Sequence, residues 1–417
     1  MYRAMYRAVH PRAHAPAGGF EMPSSLTWLD HDAAAQARSA TLLALLDQPG
    51  TRDELGFGGI RDALSDQLFP GTSVIQTRLR YMLLLPRMFM GLEASSVRPR
   101  DFAERARQDE LKLNDCLAAE EGAFGRDSGH TLKRLASSVY WAGMRSWGIF
   151  ARSGSQQDYF SAIEQIRRER SWKQQRDDGM EDAELIAQTW HPSLEKLVPV
   201  AALEEGSLSL TADEAEFIRE QWKVHHPQTL LVWLAQDKGR LGDCADAGFP
   251  WLHPQIRQAP QPLRELVEHA RQFSRLANGA SLVYNLALAE ASSNDERREE
   301  YGQELKTWID GVPASQLGEW DMVQFWEQVE RVGRPIHPRT REFVSSWLAL
   351  VKAGQADSPQ SRSLVRERER SLKGNLSRFN PENLDRWSGA SGLGILNYRW
   401  GITRRHLADL LHGLEAA

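Results

Sequence analysis

Seven side chains, Gln76, Arg80, Arg87, Arg362, Arg366, Arg370 and Lys373, recur at helical spacing along two segments. Six cations and one amide aligned in this way are what a helix needs to follow phosphates or to dock an acidic partner. In the first segment Ile75, Leu79, Met82, Leu85 and Phe89 gather on one side of a helical wheel, with Gln76, Arg80 and Arg87 on the opposite stripe. Pro86 lies between Arg80 and Arg87 and is a potential kink. In the second, Arg362, Arg366, Arg370 and Lys373 share one face, while Val365, Leu372, Leu376 and Phe379 share another. Each stripe has a plainer alternative. The first is a packed helical hairpin with a solvated basic edge, and the second is a self-paired surface, because Glu369 and Lys373 stand four residues apart. Arg78 falls inside the apolar sector. A guanidinium there must be paired, and Asp62 or Asp66 on the preceding helix is the expected partner.

Residues able to make or break bonds gather less clearly. Asp101, Glu110 and Lys112 imitate a nuclease set, in which two carboxylates hold Mg²⁺ and a lysine assists the attacking water, but they lie in helical sequence rather than on paired strands. His191, His225, His226, His253 and His337 are not spaced as metal ligands, and four of them precede proline, which suits loops and helix starts. The run Gly389-Ala-Ser-Gly392-Leu-Gly394 has the amides for an anion nest but follows no predicted strand, so a tight turn is expected. Phosphate-loop, zinc-protease and nucleophile-elbow motifs are absent. Cys116 and Cys244 stand far apart, outside any CxxC or Cys/His cluster, and read as reduced thiols. No cofactor, metal or catalytic residue is therefore assigned.

The elements that must position these residues are helical. Capping-box pairs mark helix starts at Ser73 with Gln76, Thr211 with Glu214 and Ser293 with Glu296. Strand alternation is confined to Ser207–Leu210. The reading is a mainly α, multi-helical chain of two packed helical domains with little or no sheet. The boundaries expected are a loose or mis-called tail over 1–21 ahead of Met22, an N-terminal domain over 22–238, a Gly/Pro-rich connector over 239–262 and a C-terminal domain over 263–417. His269 to Ala291 is apolar nearly all round and should be central, crossed by one polar stripe, Ser274, Asn278, Ser281 and Asn285. Buried amides and hydroxyls need partners, so this stripe bonds a neighbouring helix or lines a wet cleft. Gly279 and Ala280 allow close approach at the same level. Trp326, Trp347, Trp387 and Trp400 are expected as packing anchors.

With 417 residues, 41% apolar and 26% charged, the chain is long enough for a sizeable core, and its longest apolar runs are too short for a bilayer. A cytoplasmic location is the expectation. The formal charge of -5 excludes a global basic field, yet residues 333–417 carry 14 Lys and Arg against eight Asp and Glu. Nucleic-acid binding would have to be local to that basic end.

The segment from Glu54 to Phe89, above all Gly-Ile-Arg-Asp, Phe-Pro-Gly-Thr-Ser and Gln-Thr-Arg, resembles a family of uncharacterised bacterial proteins of similar length, a domain of unknown function. So do His269-Ala-Arg-Gln-Phe-Ser through Leu286-Ala-Leu-Ala-Glu290 and the closing Leu396-Asn-Tyr-Arg-Trp-Gly with its last helix. The resemblance runs from Met22 to the end. It implies a setting beside helicase and phospholipase-D-like nuclease genes in antiphage islands, and no catalytic residues. The expected function is a non-catalytic accessory protein of a DNA-processing or defence system, with a helicase or nuclease partner and local contact to nucleic acid. The alternative is a metal-dependent nuclease or other hydrolase assembled from scattered acids.

Overall fold

Thr211 and Glu214 show how the sequence sets a helix start: the Thr211 hydroxyl accepts from the Glu214 amide at 3.2 Å and the Glu214 carboxylate accepts from the Thr211 amide at 2.9 Å. The structure is a computed structural model and describes residues 53–126, 134–176, 188–311, 317–331, 333 and 335–416. The tail over 1–21 and the start at Met22 lie outside the described residues. In chain order the longer helices are α1 (Gly58–Leu68), α2 (Tyr81–Ala94), α3 (Phe102–Leu117), α4 (Ala136–Ser146), α5 (Gln156–Ser161), α6 (Ile163–Arg176) and α7 (Ala212–His225). They are followed by α8 (Leu230–Ala235), α9 (Gln261–Ala291), α10 (Asp295–Gly311), α11 (Met322–Glu330), α12 (Pro338–Lys352), α13 (Pro359–Lys373) and α14 (Trp400–Glu415). The fold is mainly α. No strand occurs among the described residues, Ser207–Leu210 included, and Phe150 and Trp190 form one isolated bridge.

α9 is the central rod. Its buried face includes Phe273, Leu276, Ala280, Val283 and Tyr284, and α10 and α13 pack along it. Trp347 on α12 donates its indole N–H to the Leu276 carbonyl at 2.8 Å, and Trp400 at the start of α14 donates to Ala247 at 2.6 Å, so both rings bury area and satisfy their polar atom. α14 lies against α7, and α2 against α3 and α4. Arg52–Ala417 form one compact unit, within which the Gly/Pro-rich stretch 239–262 holds most of the short helix Lys238–Asp243, two single 3₁₀ turns and the start of α9. No helix among the described residues is long and apolar enough to cross a membrane.

Two helix starts differ from the sequence pattern. Asn294, not Ser293, caps α10, its side chain accepting from the Arg297 amide at 3.0 Å while Ser293 takes a positive φ of 52°. Ser73 and Gln76 make half of a box, the Ser73 amide donating to Gln76 Oε1 at 3.1 Å, but α2 begins only at Tyr81. The intervening amides are taken by distant side chains: Tyr140 Oη accepts from Thr77 and Arg78 at 2.7 and 3.0 Å, and Asp409 accepts from Leu79 at 2.8 Å.

The close approach at Gly279 admits a ring rather than a backbone. A Cβ there would stand 2.3 Å from Trp308 Cζ2, and Trp308 is held by its bond to the Arg275 carbonyl at 3.1 Å. Gly279→Ala is therefore expected to lower unfolding stability by about 1–2 kcal/mol despite alanine's better helix propensity, because an overpacked core costs about 1–3 kcal/mol. Urea midpoints of the two proteins check this.

Candidate functional site

The first basic stripe is not on the surface. Arg80 is 3% exposed, and its guanidinium meets the Glu214 carboxylate through Nε and Nη2, both at 2.9 Å, while Nη1 donates to the Ser207 carbonyl at 3.0 Å. Gln76 is also buried, donating to Gly71 at 3.1 Å, and Arg87 donates Nε to the Val198 carbonyl at 2.8 Å. The wheel that aligned these three assumed one helix from Ser73, and the late start of α2 removes Gln76 and Arg80 from it. Arg78 is paired as its apolar setting requires, but with Asp409 on α14, at 2.9 Å, rather than with Asp62 or Asp66. Asp62 pairs with Arg61 and Asp66 with Arg399. Arg78, Arg80, Arg87 and Arg399 are thus ties between elements remote in sequence.

The second stripe divides. Arg362 donates to Glu290 and to Asp357, both at 2.7 Å, and Lys373 is bound to Glu54 and lies 3.5 Å from Glu369. Glu369 is fully buried and also accepts from the Arg378 amide at 2.9 Å, while Arg378 reaches Glu54 at 2.7 Å. The ends of the ridge are thus spent on internal pairs. Its middle lies nearer the surface: the half-buried Arg366 stacks over the Phe379 ring at 5.3 Å, and the exposed Arg370 lies 3.5 Å from the Phe379 carbonyl. Leu372 and Leu376 beside them are 44% and 73% exposed. Two guanidiniums and two uncovered leucines therefore share the outer side of α13 and the turn after it.

The polar stripe of α9 bonds to a loop, not to a neighbouring helix. Ser274 donates to Leu396 at 2.9 Å, Asn278 to Leu393 at 3.4 Å, and Asn285 exchanges two bonds with Ser391 at 2.7 and 2.8 Å. Ser281 contributes its carbonyl to Asn285 at 2.7 Å. The glycine run is thus a turn seated on the stripe, and Gly389 and Gly392 take the positive φ, 91° and 63°, that the turn needs.

The nuclease-like triplet does not converge. Glu110 is 1% exposed and accepts from the Ser137 amide at 2.8 Å at the start of α4, and burial raises its pKa above the usual carboxyl range. Asp101 pairs with Arg98 at 2.7 Å, and Lys112 reaches outward to Asp109 at 3.6 Å. Among the described residues no group of three or more His, Cys, Asp or Glu is arranged to hold a metal ion. His191, His253 and His337 each accept at Nδ1 from the amide two residues on, at 3.2 to 3.3 Å, and His226 Nε2 lies 2.8 Å from the Ser146 carbonyl. Both cysteines are free thiols, Cys244 buried with its pKa raised to about 12 by desolvation.

One carboxyl escaped the sequence pattern. Glu93, near the end of α2, is 2% exposed; its Oε1 accepts from Tyr159 Oη at 2.8 Å and from Trp190 Nε1 at 2.6 Å, while Oε2 accepts no hydrogen bond. Burial raises its pKa, outweighing those bonds and the nearby Arg170 and Arg152 charges. A glutamate in a helix's last turn gives no sign of this, and its partners lie 66 and 97 residues away.

Residues 23–413 match the family model DUF6361, described as a family of unknown function. No curated protein and no solved structure matches the chain.

Proposed function

We propose, from the premise that this chain belongs to the DUF6361 family, that it is a non-catalytic accessory protein of a bacterial DNA-processing or antiphage defence system. It binds a partner enzyme, a helicase or phospholipase-D-like nuclease, through the outer side of α13. The observation that carries this reading is the patch of Arg366, Arg370, Leu372 and Leu376. Uncovered leucines beside arginines are the composition of a protein interface, where apolar contact supplies affinity and guanidiniums supply direction. A surface for phosphates alone would want more outward cations and no leucines, and Arg362 and Lys373 are bound to acids instead. A protein partner is therefore favoured over nucleic acid.

The test is co-expression with helicase and phospholipase-D-like nuclease candidates, followed by capture of the full chain. The wild type is expected to retain its partner, and Arg366→Glu with Arg370→Glu to weaken capture about tenfold or more without moving the thermal midpoint beyond ~2 °C. Equal capture by the double variant would overturn the assigned surface. Magnesium-dependent DNA cleavage by the purified chain, lost in Glu110→Gln, would replace the accessory reading with the nuclease one.

A further inference from the structure

α13 gives way at Gly374, whose φ of 53° lets the chain reverse at once, and Gly374, Asn375 and Leu376 are exposed at the tip of the turn that follows. Leu376, at 73%, is the most uncovered large apolar side chain among the described residues. The turn beneath it is nonetheless tied down. The buried Glu369 accepts from the Ser377 hydroxyl and, at 2.9 Å, from the Arg378 amide, while Ser377 Oγ accepts from the Phe379 amide at 3.2 Å. From the side, Asn383 donates Nδ2 to the Asn375 and Ser377 carbonyls at 2.9 and 3.2 Å, and Asn380 donates to Gly374 and Asn375 at 3.4 and 3.2 Å. We propose that this turn is a preformed plug that the partner enzyme receives in an apolar socket rimmed by carboxylates, with Leu376 as the anchor and Asn383 as a positioning residue. The inference rests on the assignment of the α13 surface above and names what that surface fits.

Two features fix the chemistry of the socket. An exposed leucine on a loose loop loses much of its contact energy to ordering, whereas one carried on a turn whose carbonyls are already bonded has little left to lose on docking. That is the property of an anchor, and a leucine anchor needs an apolar recess. The charges beside it are of one sign and unspent. Arg366 lies over the Phe379 ring at 5.3 Å and Arg370 is 3.5 Å from the Phe379 carbonyl, so both guanidiniums stand against the residue that closes the turn. Neither is ion-paired among the described residues, whereas Lys373 and Arg378 are bound to Glu54. Carboxylates at the rim of the socket pair the two free guanidiniums and set the direction of approach.

Capture of co-expressed helicase and phospholipase-D-like nuclease candidates by the full chain tests the proposal. Leu376→Ser is expected to weaken capture about tenfold or more and Leu376→Met to retain it, both without moving the thermal midpoint beyond ~2 °C. Asn383→Ala, which leaves the buried Glu369 untouched, should speed amide exchange from Ser377 to Asn380 about tenfold and weaken capture in step, although Leu376 is still present. Wild-type capture should also fall as salt is raised from about 0.1 to 0.5 M. Equal capture by Leu376→Ser, while Arg366→Glu with Arg370→Glu loses the partner, would overturn the plug and leave the α13 surface standing. Equal capture by both, or none by the wild type, would remove the two readings together. Faster exchange in Asn383→Ala with unchanged capture would overturn the preformed turn. Binding of a DNA oligonucleotide that is lost in the arginine double variant and kept in Leu376→Ser would replace the socket with a phosphate backbone.

Discussion

Arg80→Met is expected to lower unfolding stability by about 3–5 kcal/mol, the cost of leaving a buried charge without its partner. The Arg80 and Glu214 side chains are 4% and 1% exposed, so the orphaned carboxylate is left out of water. Glu214 cannot simply turn away, because it also closes the box at the start of α7 by accepting from Thr211. Adding Glu214→Gln removes the stranded charge and keeps the helix-capping acceptor, so the double variant should recover a large part of the loss. Urea unfolding of the wild type, the two single variants and the double variant gives the coupling directly. A loss below about 1 kcal/mol for Arg80→Met would mean that this pair is solvated, as an exposed ion pair is.

The second large effect is on acid stability. His406, on α14, is fully buried, neither ring nitrogen has a hydrogen-bond partner, and desolvation, with the Arg405 and Arg78 charges, lowers its pKa to about 3. The unfolded imidazole takes up its proton near 6.5, the folded one only near 3. Stability from this group is thus intact above pH 6.5 and is lost progressively as pH falls towards 3. Between pH 7 and pH 5 the loss is about 2 kcal/mol, at 1.36 kcal/mol for each pH unit below the unfolded pKa. Glu93 and Glu110 act in the opposite sense, since their raised pKa values let the folded protein take up protons first as the solution is acidified. The contribution of His406 is therefore read as the difference between the wild type and His406→Leu, each unfolded in urea at pH 7 and pH 5. The variant should lack about 2 kcal/mol of the wild type's acid-induced loss. An unchanged difference between the two pH values would show that the ring reaches solvent.

These two residues also mark where the sequence is legible. The helices were readable because their signals are local: the apolar circumference of α9 and the Thr211–Glu214 box each lie within one element. The need of Arg78 for a carboxylate was readable from its apolar sector, but not the identity of that carboxylate, which comes from Asp409, 331 residues away. The polar stripe of α9 announced that it must be satisfied, while its partner, a glycine turn beginning about 100 residues later, carries no periodicity to reveal it. The basic stripe at Gln76, Arg80 and Arg87 failed for a specific reason. A helical wheel presumes unbroken helix, and side chains of Tyr140 and Asp409 had claimed the amides that would have continued it. The α13 ridge was placed on a helix as expected, but periodicity cannot distinguish Arg362, drawn inward by Glu290, from Arg370, left outside.

The arginines of these segments fall into two kinds: internal ties, Arg80 and the buried Arg368 of α13, which donates to the Leu55 carbonyl at 2.9 Å, and outer contacts at Arg366 and Arg370. Arginine modification by phenylglyoxal under native conditions, mapped peptide by peptide by mass spectrometry, measures this division. Early reaction at Arg370 and Arg366, with Arg80 and Arg368 protected until the chain unfolds, is the predicted result. Reaction of Arg80 as fast as Arg370 in the folded protein would contradict it.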